Sequence, residues 1–338
     1  MKESKRAFPL ADVLPGLPDQ HWASFVLPLA VVLGLALFPF ITGKDVHRET
    51  MFTVLRAIVM AVSLNIILGY TGYVSFGHVV FYGLGGYVGF YLVSEKGMSL
   101  WVALLAGGLA AGLLAWVIGA GILRLRGAYF ALVTIGVNEA VRALIQNLDI
   151  FGGPLGLEMN FSVYKAYGGP QAMLQMTYNI LVGLAVIAVL LSYAVRTSKF
   201  GLGLLAIRED EDAAEVMGII APKAKTWAYV LSAILPGMVG ALFFFRNGSI
   251  EPHEAFPLHI SIEAIVMVML GGYGTVLGPI LGAAGYQVMR AFLITNRYLK
   301  NIQLTVSGVL LLLIVLFIPA GLIGWLRRRI PASRRILL

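Results

Sequence analysis

The amino-acid sequence predicts an all-α protein whose main solvent is a lipid bilayer, and three observations carry that prediction. Residues of the AVILMFWYC set make up 59% of the 338 and DEKR only 12%, about half the charge of an ordinary soluble domain. The mean hydropathy of +0.86 leaves too little polar surface to face water. Apolar runs of about 20 residues, the length that crosses about 30 Å of hydrocarbon, recur without the alternation of a strand barrel. Helix follows for each, because lipid offers no partner to an exposed backbone group. This composition excludes a soluble enzyme, a nucleic-acid-binding module, a disordered chain and a disulfide scaffold. There is no cysteine at all.

In chain order, residues 1–21 form a basic tail with Lys2, Lys5 and Arg6 and no small-residue cleavage site after a short apolar core. Spans are expected at 22–40, 51–70, 75–94, 99–123, 128–148, 173–195, 226–245, 260–279, 280–295 and 302–320. Ten crossings consume roughly 200 residues and leave no room for a large extramembranous domain, so 1–338 reads as a single transmembrane domain. The eighth and ninth runs are interrupted by Gly271, Gly272, Gly274, Gly278 and Pro279. Eight crossings plus a re-entrant pair are the alternative.

Lys and Arg in the connections set the orientation. They gather in the N-terminal tail, at Arg124 and Arg126, in the connection 196–225 (Arg196, Lys199, Arg208, Lys223, Lys225) and in the basic tail 326–338. Ten spans put all four sites, and both termini, in the cytoplasm. Arg297 and Lys300 then face outside, against the trend. The net charge of +8 is this topology bias and calls for no nucleic acid.

Four segments do more than fill lipid. Ser198–Ile219 is too polar to span and too rich in helix formers for a loop; Gly201 and Gly218 bracket it and Pro222 stops it. It reads as a short helix pair or a bent helix, either a solvated connector or a docking element. Leu68–Gly89 is far denser in glycine than a lipid-facing helix requires, and its first part joins Gly69, Gly72 and Gly77 to polar Thr71, Ser75 and His78. Gly-interrupted spans point to a transport path, whereas the later glycines read as close helix packing. The third segment, Gly152–Gly156 with Gly153 as its second residue, follows a span carrying Glu139 and Arg142 three residues apart, which are expected to pair and face the bundle, as is Glu263. The fourth, Leu270–Gly282, with Gly271, Gly272, Gly274 and Thr275, loosely repeats the LGYTG of the second.

Catalytic and nucleotide motifs are missing. No Walker loop is present, so this chain holds no ATP by that means. His47, His78, His253 and His259 have no metal-ligand spacing, and no nucleophile–base arrangement occurs. The chain reads as a non-enzyme without a metal.

Six stretches in order carry a resemblance: SLNIILGYTGYVSFGH (63–78), RLRGAYFALVTIGVNEAVR (124–142), GGPLGL (152–157), AIREDEDAAEVMGI (206–219), SIEAIVMVMLGGYGTVLGPILGA (261–283) and PAGLIG (319–324). From about Ala61 to Gly324 the chain resembles LivM-type permease subunits of ABC importers for branched-chain amino acids, within the hydrophobic amino acid uptake group. It departs from them in its first 60 residues, in the acidic run Glu209–Asp212, and at Ile318, Pro319 and Ala320, where members often carry Arg-Pro-Gln.

The resemblance implies a permease in the inner membrane of a bacterium. Its partners would be a homologous LivH-like permease, two cytoplasmic ATPases that bind ATP and Mg, and a periplasmic or lipid-tethered binding protein. It makes 201–218 the coupling element. Arg208, Glu209, Asp210 and Glu215 would be polar contacts to the ATPase, and Gly201, Ala213, Ala214 and Gly218 its close-packing positions. It makes the breaks at 69–78 and 271–275 path or gate elements, with Gly153 a further candidate. Urea, short amides and other small amino or organic acids are alternative solutes. An ion-coupled secondary transporter, using Glu139 or Glu263, is the alternative mechanism.

Overall fold

The computed structural model describes residues 22–43, 45–295 and 321–329, with scattered positions between 302 and 317. The tenth expected span lies largely outside the described residues. So do the tail 1–21, Arg297, Lys300 and residues 330–338.

The described chain is helical apart from one pair of two-residue strands. The first helices are α1 (Trp22–Thr42), α2 (Asp45–Thr71), α3 (Val79–Ser94), α4 (Leu100–Ile122) and α5 (Ala128–Gln146). Leu157 and Glu158 then pair antiparallel with Ile250 and Ser249. There follow α6 (Phe161–Ala166), α7 (Pro170–Thr197), α8 (Lys199–Glu209), α9 (Glu211–Val216), α10 (Ala221–Asn247), α11 (Pro252–Ala255), α12 (Leu258–Gly271), α13 (Leu277–Thr295) and a last helix over Gly321–Arg329.

Eight of the described helices are long and apolar enough to cross a membrane, with α11 and α12 counted as one, and α3 is a shorter apolar helix of 16 residues. Two of the expected boundaries move at the glycine-rich breaks. The third span starts at Val79 instead of 75, because 72–78 is not helical. The break in the eighth run falls at 272–276, not at Pro279, which sits inside the first turn of α13. Proline is tolerated there because the first N–H groups of a helix have no intrahelical partner.

Two helices form the centre. The apolar windows of α2 and α10 are 83% and 78% buried, against 22% for α1 and for α5. Glycine lets α10 approach its neighbours closely. A Cβ on Gly85 of α3 would lie 2.4 Å from the Cα of Gly237 on α10, and one on Gly107 of α4 would lie 2.7 Å from the Gly85 carbonyl. The later glycines of Leu68–Gly89 therefore serve packing. On the outside, Trp101, Leu105, Leu109, Leu113 and Trp116 of α4 form an exposed apolar stripe at helical spacing.

Candidate coupling site at the paired helix breaks

Both helix breaks are built by left-handed glycines and closed by hydroxyls. α2 stops because Gly72 turns to φ +78, and its N–H closes on the Leu68 carbonyl at 3.1 Å. The Thr71 hydroxyl donates back to the Ile67 carbonyl. The chain then runs without helix to α3, whose Val79 N–H is held by Ser261 Oγ at 2.8 Å. α12 stops at Gly272 (φ +119), and Gly274 follows at φ +75. Thr275 Oγ donates to the Gly272 carbonyl at 2.8 Å and accepts the Gly278 N–H at 3.0 Å, which starts α13.

The two breaks meet. From within α2, the fully buried Asn65 accepts the Gly274 N–H at 3.0 Å and donates to the Thr275 carbonyl at 2.9 Å. A Cβ on Gly69 would lie 2.6 Å from the Gly274 nitrogen, so glycine is required for this approach. Gly77 makes a similar approach to α5, where an added Cβ would lie 1.8 Å from the Thr134 carbonyl oxygen.

The polar connection is a helix pair. Ser198 caps α8 by accepting the Gly201 N–H at 3.1 Å, and Asp210 caps α9 by accepting the Ala213 N–H at 3.0 Å. Gly201 thus lies in the first turn of α8 instead of preceding the helix. A Cβ there would lie 1.9 Å from the Val195 carbonyl oxygen.

Arg208, near the end of α8, reaches the junction of the breaks. Its Nη1 donates to the Gly69 carbonyl at 2.9 Å, its Nη2 to Glu209 at 2.7 Å, and its guanidinium lies over the Tyr273 ring. One side chain therefore ties the helix pair to the end of α2 and to the second break.

A second tie is ionic. Lys225 of α10, 1% exposed, donates to Glu211 and to the Tyr73 hydroxyl at 2.7 and 2.8 Å. Tyr73 in turn donates to the other Glu211 oxygen at 2.7 Å. Arg126, after α4, pairs with Asp212 at 2.8 Å and lies 3.6 Å from Glu211. Burial pushes the Glu211 carboxyl up. The hydrogen bonds from Lys225 and Tyr73, with the charges of Lys225 and Arg126, outweigh that and leave it below its ordinary value. The Arg126 hydrogen bond and charge likewise hold Asp212 down. Three of the four residues of the acidic run, Glu209, Glu211 and Asp212, therefore face this chain's own cations.

Other expected residues take varied places. Ala214 is buried against Ile207 and Ala221 of its own chain, so it offers no surface. Ala213, Glu215 and Gly218 are exposed, and nothing lies within 4 Å of a Cβ at Gly218. Ser75 and His78 are buried at the first break; the His78 Nε2–H donates to the Ser232 carbonyl at 3.1 Å, with Phe81 and Tyr229 against its ring. His78 is a packed residue. Gly153 lies past the far end of α5, about 18 Å of helix beyond Thr134, where the first break touches α5. Glu139 and Arg142 pair at 2.9 Å, yet are 41% and 38% exposed, so they are not turned into the bundle as expected. Glu263 is buried and pairs with Arg290 at 3.2 Å.

Motif reading passes over Asn65, Tyr73, Arg126, Glu211 as a half-buried anchor, and Lys225. It also passes over Val216 and Met217, which stand 89% and 79% exposed on a polar helix pair. Asn65 alone carried a signal, a lone amide in an apolar run.

The sequence profile described as "Branched-chain amino acid transport system / permease component" matches residues 49–316. The chain is 28% identical to the high-affinity branched-chain amino acid transport system permease protein LivM of Escherichia coli, over 93% of this chain and 78% of that one. It is 25% identical to the LivH permease protein of Salmonella typhimurium, over 78% of this chain and 90% of that one. A probable LivM permease of Methanocaldococcus jannaschii is 22% identical over 78% and 89%. No solved structure matches. With most of its length under the family profile, and its helix breaks joined to a polar helix pair, the chain belongs to the permease components of branched-chain amino acid transport systems.

Proposed function

We propose that this chain is one of two permease subunits of an ABC importer in a bacterial inner membrane. A periplasmic or lipid-tethered binding protein delivers a branched-chain amino acid, a homologous LivH-like permease completes the path, and two cytoplasmic ATPases drive it with ATP and Mg. The chain crosses ten times as a single transmembrane domain, with both termini and α8–α9 in the cytoplasm. α12 and α13 count as two of the crossings.

The observation that carries this reading is the Arg208 bond to the Gly69 carbonyl at the junction of the breaks. A force applied to an exposed helix pair is thereby delivered to the places where two spans are already interrupted. Interrupted, bistable elements are what an alternating-access path requires. Val216 and Met217 give the pair an apolar projection suited to a groove on a protein partner. The half-exposed Glu139–Arg142 pair on α5 supports a second permease. An ion pair in mid-span is costly against lipid, so it calls for another chain or an aqueous path to cover it.

Reconstitution tests the reading. Uptake of leucine into liposomes should require all the subunits and ATP, and Gly218→Trp should abolish ATPase co-purification while membrane insertion persists. Ion-driven uptake by this chain alone defeats the proposal in favour of a secondary transporter.

A further inference from the structure

A cavity of about 540 Å³ lies between α2, α3, α10, α12 and α13, at the end of the bundle opposite α8–α9. That size is within the about 300–1,000 Å³ typical of small-molecule sites. Its mouth is at the exposed Asn247, His253 and Glu254. It deepens about 12 Å along α12 from His259 to Met267.

The chemistry of the walls changes with depth. Near the mouth stand two guanidinium groups, Arg56 and Arg290, and two carboxylates, Glu254 and Glu263. Deeper, the lining becomes apolar with Ala57, Met60, Ala264 and Met267. The charged walls are held in place. Arg56 donates to the Tyr82 hydroxyl at 3.2 Å with its guanidinium 4.4 Å from the Phe243 ring centre. Arg290 donates to the buried Glu263 at 3.2 Å, and its buried Nε has no acceptor among the described residues.

We propose that this cavity binds an α-amino acid, its carboxylate held by Arg56 and Arg290, its ammonium by Glu263 and Glu254, and its apolar side chain toward Met60 and Met267. Two positive and two negative walls balance a zwitterion. A monocarboxylate or an amine alone leaves a group of one sign unanswered, and burying unanswered charge is costly. The floor fits an aliphatic side chain better than urea or a short amide, which have none. The site also has a mechanical address. Met267 sits one helical turn, about 6 Å, from Gly271, and α2 carries both Arg56 and Gly69. Occupancy and the state of the breaks therefore act on the same two helices. The proposal rests on the importer reading for the solute's direction of travel, but the site stands on its own geometry.

The absence of cysteine from this chain makes the test direct. In the reconstituted complex, Ala264→Cys should react with a small water-soluble thiol reagent added from the binding-protein side. Saturating L-leucine should slow that labelling, read on this subunit, while equal concentrations of 4-methylpentanoate, isopentylamine or urea should not. Separately, Glu263→Gln and Arg56→Gln should each raise the KM for leucine uptake about tenfold or more, the loss of one charge-assisted hydrogen bond. No labelling at position 264, labelling indifferent to leucine, or an unchanged KM in both variants overturns the site. Failure of ATP-dependent uptake by the unmodified complex overturns the importer reading instead, and leaves the leucine-protection experiment to judge the cavity.

Discussion

Arg208 and Gly69 are 139 residues apart in sequence, and the guanidinium of one donates to the main-chain carbonyl of the other at 2.9 Å. A left-handed glycine three residues on ends α2, so this carbonyl belongs to the last turn, whose oxygens have no intrahelical donor. The exposed helix pair supplies the missing partner. Replacing Arg208 by Ala should leave the subunits assembled and lower ATP-driven uptake about tenfold or more, since a charge-assisted hydrogen bond is lost. Arg208→Lys should recover only part, because an ammonium cannot reach Gly69 and Glu209 with one planar fork. Uptake per ATP hydrolysed is the measurement; full uptake in the Ala variant removes Arg208 from the coupling path.

Asn65 makes the contact between the two breaks, and its loss strands two buried main-chain groups, the Gly274 N–H and the Thr275 carbonyl. Each such group costs about 1–3 kcal/mol when left without a partner. Asn65→Leu should therefore lower the unfolding temperature more than Asn138→Leu, where a single bond to the Phe256 carbonyl is lost. A comparison of the two variants in the same detergent decides it.

Glycine substitutions should divide by what an added methyl meets. At Gly77 the new carbon would lie 1.8 Å from the Thr134 carbonyl oxygen, so α5 has to move away. At Gly183, inside α7, nothing lies within 4 Å, and Ala there should stabilise by about 0.5–1 kcal/mol through helix propensity. Gly77→Ala should lower thermal stability and impair uptake. Equal melting temperatures for the two variants would contradict the packing of the first break on α5.

How much of this was legible in the sequence depends on distance along the chain. The spans, the polar helix pair and both glycine breaks are local signals, readable from periodicity, caps and composition. Ser198 and Asp210 do cap the pair, though a bracket of glycines points to slightly different ends. The contacts that join these parts connect residues far apart: Asn65 to Gly274, Tyr73 to Glu211, Arg126 to Asp212. No periodicity encodes such pairings. Glu139 with Arg142 is the instructive case. Their spacing correctly implies a pair, but which way the helix faces depends on neighbours, and the pair is half exposed.

Val216 and Met217 are large apolar side chains standing free on an otherwise charged element. If they fill a groove on the ATPase, Val216→Asp should abolish co-purification of the ATPase, because a charge would be buried without a partner. Thermal stability of the permease alone should stay within about 0.5 kcal/mol, as for a surface substitution. Retained co-purification would place the docking surface elsewhere on the cytoplasmic end.

Glu211 sets the acid limit of the helix pair. Its carboxyl lies below its ordinary value of 4.5 in the folded chain, so its contribution to stability is fully present above about that value. The contribution is lost as the pH falls through the lowered one. Protonation removes the countercharge from Lys225, which is 1% exposed and cannot turn to water without moving α9. Asp212, also held down, lets go of Arg126 over a similar range. Amide exchange across 210–217, corrected for the intrinsic rate, should therefore stay flat from neutral pH to about pH 5 and rise only well below it. Glu211→Gln should reproduce the loosened state at neutral pH, with a cost of about 3–5 kcal/mol for a buried cation left unpaired. Lys225→Met in the same background should restore protection, because an apolar side chain needs no countercharge in that position. If the double variant exchanges as fast as Glu211→Gln alone, the ion pair is not what holds α9 to the bundle.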